Sequence, residues 1–192
     1  MNPSLAPVPE PFSEDVAAIL AGYPKRDGYV LQLFRVFANS VRFLKKGTVN
    51  LLDRDSPLPV RLRELVILRV TANNDCEYEW GVHVTAFAAH VGFTEEQVAA
   101  TRLDDHRASC WSPEERVLLR AVDELCAAGR IMPDTYRDVR RHFSLEQQLE
   151  ILALAGNYHT VCFVANTAAL PPEPFGARFP TPYRPMAAES RI

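Results

Sequence analysis

Apolar residues recur along most of this chain at spacings of three and four, the period of helices with one face in a core. Val30, Leu31, Leu33, Phe34, Val36, Phe37, Val41 and Leu44 follow so closely that they predict one strongly apolar helix ending near Gly47. Pro57 and Pro59 open another over about Val60 to Thr71, and Cys76 to about Val91 predicts a further helix, stopped by Gly92. Polar residues punctuate the pattern. Ser13 is placed to cap a helix running to about Tyr23. Thr94 with Gln97, Ser112 with Glu115 and Ser144 with Gln147 have the spacing of capping boxes, in which each side chain satisfies the other residue's orphan backbone N–H. Pro113 supports the second of these from the first helical position, and a short helix follows Pro133. No run of alternating β-branched residues bounded by hairpin turns competes. The expected fold is all-α, in a single domain.

Proline use divides the chain into an extended N-terminal segment (1–12), a helical body (13–170) and a proline-rich tail (171–192). The tail holds six prolines between Pro171 and Pro185, together with Phe175, Phe179 and Tyr183. Disordered segments are poor in aromatics, so this tail is expected to lie extended on a surface, its own or a neighbouring subunit's.

Composition narrows the picture. With 192 residues and 47% hydrophobic content, one domain with a full core is expected. The net charge is −3 and no Lys/Arg block occurs, so nucleic acid is not an expected partner. Lys45-Lys46 and the cluster Arg137, Arg140, Arg141 read as solvated helix surface. Ile151 to Leu170 carries no formal charge, which raises the question of a membrane span. Gly156, Asn157, His159, Asn166 and Thr167 interrupt it at a cost in lipid, so a buried core helix is expected and no membrane association. The N-terminus lacks a basic region followed by an apolar core, which predicts no secretory leader and a cytoplasmic protein. Cys76, Cys110, Cys126 and Cys162 form no CxxC pair and read as free thiols.

Candidate chemistry concentrates in Arg63-Glu64-Leu65-Val66-Ile67-Leu68-Arg69 and Asp75-Cys76-Glu77-Tyr78-Glu79-Trp80-Gly81-Val82-His83. On a regular helical wheel Trp80, Val84, Phe87, Ala88 and Val91 form an apolar stripe. Cys76, Glu79, His83 and His90 line its border, and Tyr78, Val82 and Thr85 fall on the far side. A thiol, a carboxylate and an imidazole beside an apolar stripe suit proton transfer, because burial raises a carboxyl pKa and a carboxylate raises that of imidazole. The plainer alternative is a Glu79–His83 ion pair at i,i+4 on a half-exposed face. Glu64, Cys76, Glu79 and His83 could share a metal across two helices. Zinc sites usually supply tighter pairs, however, and neither metal nor another cofactor is expected. No GxSxG elbow and no Gly-rich phosphate loop occurs.

The same residues resemble a known pattern. AhpD-like proteins carry a glutamate on one helix, then CxxC, then a histidine four residues after the second cysteine. Glu64, Cys76, Glu79 and His83 match that spacing, with Glu79 where the second cysteine would stand. Glu77 to His83 is similar to the EYEWGxH variant found among carboxymuconolactone decarboxylase-like proteins. The likeness extends from Leu31–Ser40 to Gly156-Asn157-Tyr158-His159 and Asn166–Pro171, covering roughly residues 29 to 172.

This resemblance implies an AhpD-like helical bundle, a homo-oligomer (trimer or hexamer) with sites near subunit contacts, and a small-molecule substrate. The peroxidase branch implies two cysteines cycling through a disulfide while glutamate and histidine relay a proton. Without a cysteine at 79, Cys76 would act as a one-cysteine peroxidase resolved by an external thiol, and the sequence leaves the distance to Cys162 open. The decarboxylase branch implies cofactor-independent loss of CO₂ from an unsaturated lactone acid. His83 would then protonate the resulting anion at carbon, oriented by Glu64 or Glu79. A cation would hold the substrate carboxylate; Arg61, Arg63 and Arg69 lie on the preceding helix, and Arg61 is the candidate taken. Tyr158 and His159 are candidates to line the site, with core packing as the alternative, and Tyr78 is assigned to packing or interface. The leading expectation is a decarboxylase-like lyase or isomerase acting on a small oxygenated acid or lactone. A thiol peroxidase using Cys76 and a catalytically silent oligomeric binding protein are the alternatives.

Overall fold

A computed structural model describes residues 5–48, 51–103 and 106–181. Its α-helices are α1 (Glu14–Leu20), α2 (Gln32–Phe37), α3 (Val41–Lys46), α4 (Val60–Asn73), α5 (Glu77–His83), α6 (Glu95–Leu103), α7 (Pro113–Ala128), α8 (Pro133–His142) and α9 (Leu145–Thr167). The all-α expectation holds, with one small addition. Lys25–Arg26 (β1) and Tyr29–Val30 (β2) pair antiparallel through an Asp27-Gly28 turn in which both residues have positive φ. Asp-Gly is the dipeptide that such a tight hairpin favours.

α4 is the centre of the molecule and packs against α5, α6, α7 and α9. Leu62 to Ala72 are all buried, so this helix has no solvent face. Its charged residues are satisfied inside. Arg69 makes a forked ion pair with Asp123 of α7 at 2.5 and 3.1 Å and donates to the Thr101 carbonyl at 2.9 Å. α7 and α9 begin with the expected capping boxes, Ser112–Glu115 and Ser144–Gln147. Thr94 and Gln97 exchange the same two bonds at 3.1 and 3.2 Å at the start of α6. Gly129 ends α7 in the left-handed conformation, at φ 67°. Ser13 stands at the start of α1, but its side chain makes no capping bond.

Two expected helices are interrupted. The apolar run from Val30 to Leu44 breaks at Ala38–Ser40. Ser40 accepts a hydrogen bond from the Phe43 N–H at 3.2 Å and starts α3 afresh, while the Asn39 amide donates to the Ala6 and Val36 carbonyls at 2.7 and 2.9 Å. Local side-chain bonds of this kind compete with helix propagation. The run after Cys76 is α-helical only to His83 and then widens into a π turn over Val84–Ala88. The uncharged stretch Ile151–Leu170 lies mostly in α9, which buries Ile151, Leu154, Ala155, Tyr158, Val161, Cys162 and Ala165. Among the described residues, no helix is long and apolar enough to cross a membrane.

The described part of the tail, to Thr181, lies along its own α5; Pro182, Tyr183 and Pro185 fall outside the described residues. Glu173, 2% exposed, accepts from the Gln32 N–H at 2.9 Å and from the hydroxyls of Tyr78 and Tyr29 at 2.7 and 3.1 Å. Glu77 receives the Arg178 guanidinium at 2.9 and 3.0 Å, and Phe179 packs on Trp80 with ring centroids 5.1 Å apart. Gly81 makes this closeness possible: its carbonyl accepts from Ala177 N–H at 3.1 Å, and a Cβ there would fall on the Ala177 carbonyl oxygen. Gly81→Ala is therefore expected to lower stability by about 1–3 kcal/mol by lifting the tail. Denaturant unfolding checks the loss, and a red-shifted Trp80 emission in the folded variant would locate it.

Candidate active site

Three helices converge on one buried cluster. α4 supplies Glu64, α5 supplies Glu79 and His83, and α9 supplies Tyr158 and Cys162, with Cys76 at the start of α5. A tight turn places Cys76: Asp75 adopts φ 50° and the Cys76 N–H reaches back to the Thr71 carbonyl at 2.9 Å. Glu79 and His83 are one turn apart on α5, as are Tyr158 and Cys162 on α9, so each helix presents two groups from one face.

His83 is the hub. Its Nδ1 meets Glu64 Oε2 at 2.7 Å, and its Nε2 lies 3.0 Å from the Tyr158 hydroxyl and 3.4 Å from Glu79 Oε1. The ring stacks tilted on Phe87 at 5.4 Å and meets Tyr158 edge-on at 5.2 Å. Burial alone would drive the imidazole toward its neutral form. The carboxylate of Glu64, aided by Glu79, outweighs that and raises the pKa to about 10. His83 is thus a cation at neutral pH, donating from both nitrogens. Burial and the two carboxylates together hold the Tyr158 hydroxyl well above its usual range.

The folded state therefore keeps a proton on His83 that the unfolded chain gives up near its ordinary value of about 6.5. The stabilisation is complete below that pH and disappears as pH rises toward 10. Stability is expected to fall by about 1.4 kcal/mol per pH unit between pH 7 and 10 from this group. Urea unfolding across that range checks the slope, and an NMR titration of the His83 ring checks its origin.

Cys76 lies beside this hub, fully buried. Its thiol pKa is lowered, chiefly by a hydrogen bond from the Cys162 thiol and also by the Glu79 backbone N–H; burial and the Glu79 carboxylate oppose the shift. The Cys162 thiol is pushed up in turn by that same bond and by burial. Glu79 Oε2 is buried without a hydrogen-bond partner, an acceptor aimed into the cluster.

The remaining residues singled out from sequence lie apart. Arg61 is held by Glu115 at 2.8 Å, Gln97 at 3.1 Å and the carbonyls of Val91 and Gly92, and it stacks on Phe93. His159, next to Tyr158 but turned to a half-exposed face, packs against Phe163. His90 is exposed, because the π turn adds a residue and rotates it off the stripe that a regular wheel assigns it. Tyr78 is packed beneath the tail. The Glu79–His83 pair is buried rather than half-exposed, and Glu64 is the closer partner. Among the described residues, no group of three or more His, Cys, Asp or Glu side chains is placed to hold a metal ion.

Sequence reasoning left two participants unassigned. Cys162 was readable as a same-face neighbour of Tyr158, but not as a contact of Cys76. Arg63, rather than Arg61, acts electrostatically on Tyr158; it donates to the Leu51 and Asp53 carbonyls at 3.3 and 2.7 Å, and its buried Nε has no partner. Two surface concavities, one bordered by His106, Arg116 and Arg120 and the other by Arg137, Arg140 and Arg141, do not touch the cluster.

The chain is similar to known proteins in sequence and in fold. The sequence model of the carboxymuconolactone decarboxylase family matches residues 43–124. Among solved structures, the apo debrominase Bmp8 superposes with TM-score 0.74 and 14% identity, covering 91% of this chain and 95% of its own. A peroxidase-related protein from Silicibacter sp. TM1040 gives TM-score 0.73 and 20% identity, with 91% and 94% covered. A protein of unknown function from Agrobacterium tumefaciens, named for a suspected AhpD antioxidant role, gives 0.57 and 24%, with 62% and 82% covered. These likenesses establish the AhpD-like fold. No curated protein matches the chain in sequence.

Proposed function

Starting from a chain that carries the carboxymuconolactone decarboxylase family region at residues 43–124 on an AhpD-like fold, we propose that it is a thiol-dependent enzyme reducing a two-electron oxidant at Cys76, with organic hydroperoxides as the substrate class. One observation carries this reading: the fully buried Cys76 thiol, at the start of the helix that carries the ion-paired His83, has its pKa lowered by the neighbouring Cys162 thiol and the Glu79 backbone. Stabilising the thiolate is what nucleophilic attack by sulfur requires. The debrominase Bmp8, which shares this fold, was solved with 2,3,4-tribromopyrrole as a cysteine-to-alanine variant.

In the proposed step, the Cys76 thiolate attacks the terminal oxygen of the hydroperoxide. The S–O bond forms as the O–O bond breaks, and the departing alkoxide takes a proton. His83, charged at neutral pH, supplies or relays that proton through Tyr158 or Glu79, and takes a proton back from solvent because the Glu64 carboxylate favours its charged form. The unpartnered Glu79 Oε2 is free to accept the hydroperoxide O–H and orient it. The buried setting favours an uncharged substrate, because Glu64 and Glu79 would repel an anion entering between them.

The decarboxylase-like lyase remains as a second reading because one observation favours it. A histidine that holds its proton to about pH 10 is a donor for a carbanion formed by loss of CO₂. Arg63, with its free Nε, would be the cation for the carboxylate, in place of Arg61. The proposal also keeps the trimeric or hexameric assembly, supported by the exposed α9 stripe of Leu145, Leu149, Leu152 and Phe163.

The test is selectivity. After one equivalent of cumene hydroperoxide, peptide mass spectrometry should find the oxidation at Cys76, although Cys110 and Cys126 are more exposed. Oxidation that follows exposure instead, with Cys76 untouched, would remove the thiol reading and leave a lyase or a silent binding protein.

A further inference from the structure

The geometry points to Cys162 as the resolving thiol of Cys76, so that the enzyme closes its cycle with an intramolecular disulfide between α9 and the start of α5. This rests on the thiol reading above and adds to it a second reacting residue, 86 positions away in the chain. Several independent features support it.

The two thiols are both fully buried, and each shifts the other's titration. They lie between two contacts of α9 with the segment around α5, Tyr158 to His83 at 3.0 Å and the Asn166 amide to the Asn74 carbonyl at 2.8 Å. Position 79, one turn after Cys76, carries a glutamate and offers no thiol. Cys162 shares its helix face with Tyr158, which touches His83, so the resolving sulfur belongs to the same proton-handling cluster. Its elevated pKa suits the role: Cys162 stays protonated while Cys76 attacks, and no second thiolate competes for the oxidant.

The chemistry balances with the hydroperoxide as the only oxidant. Attack by Cys76 converts the hydroperoxide to an alcohol and leaves Cys76 as a sulfenic acid. Cys162 sulfur then attacks the Cys76 sulfur; the S–S bond forms, the S–O bond breaks, and the hydroxide leaves with the Cys162 proton as water. An external dithiol reduces the disulfide by exchange, becoming the disulfide itself and returning both cysteines to thiols. Burial of both sulfurs also shields the sulfenic acid from further oxidation, which needs a second oxidant molecule to enter.

Cys126 is the rival partner. It is half-buried, bonds to Asn73 and is close enough to Cys162 to affect its titration. It does not act on Cys76, the attacking sulfur, so a Cys126–Cys162 disulfide is not expected.

The experiment maps disulfides and sulfenic acids by peptide mass spectrometry in the wild type, Cys162→Ser and Cys162→Ala. One arm uses cumene hydroperoxide and the other diamide, which oxidises neighbouring thiols without a peroxide. In both arms the wild type should give a Cys76–Cys162 disulfide. In the variants, dimedone should trap Cys76 sulfenic acid at about ten times the wild-type level or more, and dithiothreitol-supported turnover should fall about tenfold. Loss of the Cys162 thiol should also raise the Cys76 pKa. The first reduction of peroxide should therefore slow more in Cys162→Ala than in Cys162→Ser, whose hydroxyl can still donate to the thiolate, while both variants lose the disulfide. Sulfenic acid at Cys76 in the wild type with no disulfide in either arm would overturn the inference and leave a one-cysteine enzyme. A Cys126–Cys162 disulfide would overturn it as well. A Cys76–Cys162 disulfide with diamide, in a protein inert to hydroperoxide, would uphold the pairing and overturn the hydroperoxide substrate class.

Discussion

His83→Ala is expected to slow thiol-dependent hydroperoxide reduction by about 10²–10⁴-fold, the range that a positioned acid–base group contributes. The loss should fall on the first step, because the alkoxide released when the O–O bond breaks would have lost its imidazolium proton donor. It should also change the pH profile. In the wild type His83 stays protonated to about pH 10, so its titration should leave activity flat through neutral pH and depress it only in the alkaline range. Rapid-mixing measurements of peroxide consumption at several pH values check both points. A variant that keeps the wild-type rate would show that the imidazolium is a structural cation alone.

Removing the anion that holds this cation should be as damaging to the fold as losing the histidine is to the chemistry. Glu64→Ala leaves a buried imidazolium facing only the longer, 3.4 Å contact to Glu79. Truncating one partner of a buried ion pair typically costs about 3–5 kcal/mol, since the other charge stays desolvated. The His83 pKa should fall at the same time, because Glu64 is the largest of the effects that raise it. The alkaline loss of stability should then begin at lower pH. Glu64→Gln keeps the shape and one acceptor, so its cost should be smaller while the pKa still drops. Denaturant unfolding with a histidine NMR titration separates the packing loss from the electrostatic one.

The cluster was legible in the sequence in the parts governed by local spacing. Glu79 and His83 share a face at i,i+4, and the resemblance to AhpD-like proteins brought in Glu64 and Cys76 from one helix earlier. The three capping boxes were readable because each depends on side chains three residues apart. What could not be read were consequences of distant contacts. The π turn after His83 has no local signal, yet it sends His90 to solvent. The break at Ser40 depends partly on the Asn39 amide reaching the Ala6 carbonyl, far back in the chain. Arg61 looked as available as Arg63 until α6 and α7 placed Gln97 and Glu115 around it. The thiol contact mattered most. Without it, a glutamate at position 79 argued against redox chemistry and favoured a lyase; with Cys162 against Cys76, a second sulfur is present from another direction.

The destination of the tail follows the same logic. Its prolines and aromatics predicted an extended segment on some surface, and the described residues lie on α5. Glu173 joins Tyr78 to the first turn of α2, so the tail braces the helix that carries Glu79 and His83.

The central claim is that sulfur, and not the histidine alone, performs the reaction. It is tested most directly by assaying the wild type and Cys76→Ser in parallel on two substrates. One assay follows dithiol-dependent consumption of cumene hydroperoxide, and the other follows CO₂ released from carboxymuconolactone and related lactone acids. The account predicts hydroperoxide turnover that falls by about 10³-fold or more in Cys76→Ser, as expected when a covalent nucleophile is removed. Release of CO₂ that persists undiminished in Cys76→Ser, with no peroxide consumed by either protein, would contradict it and make His83 the centre of a lyase.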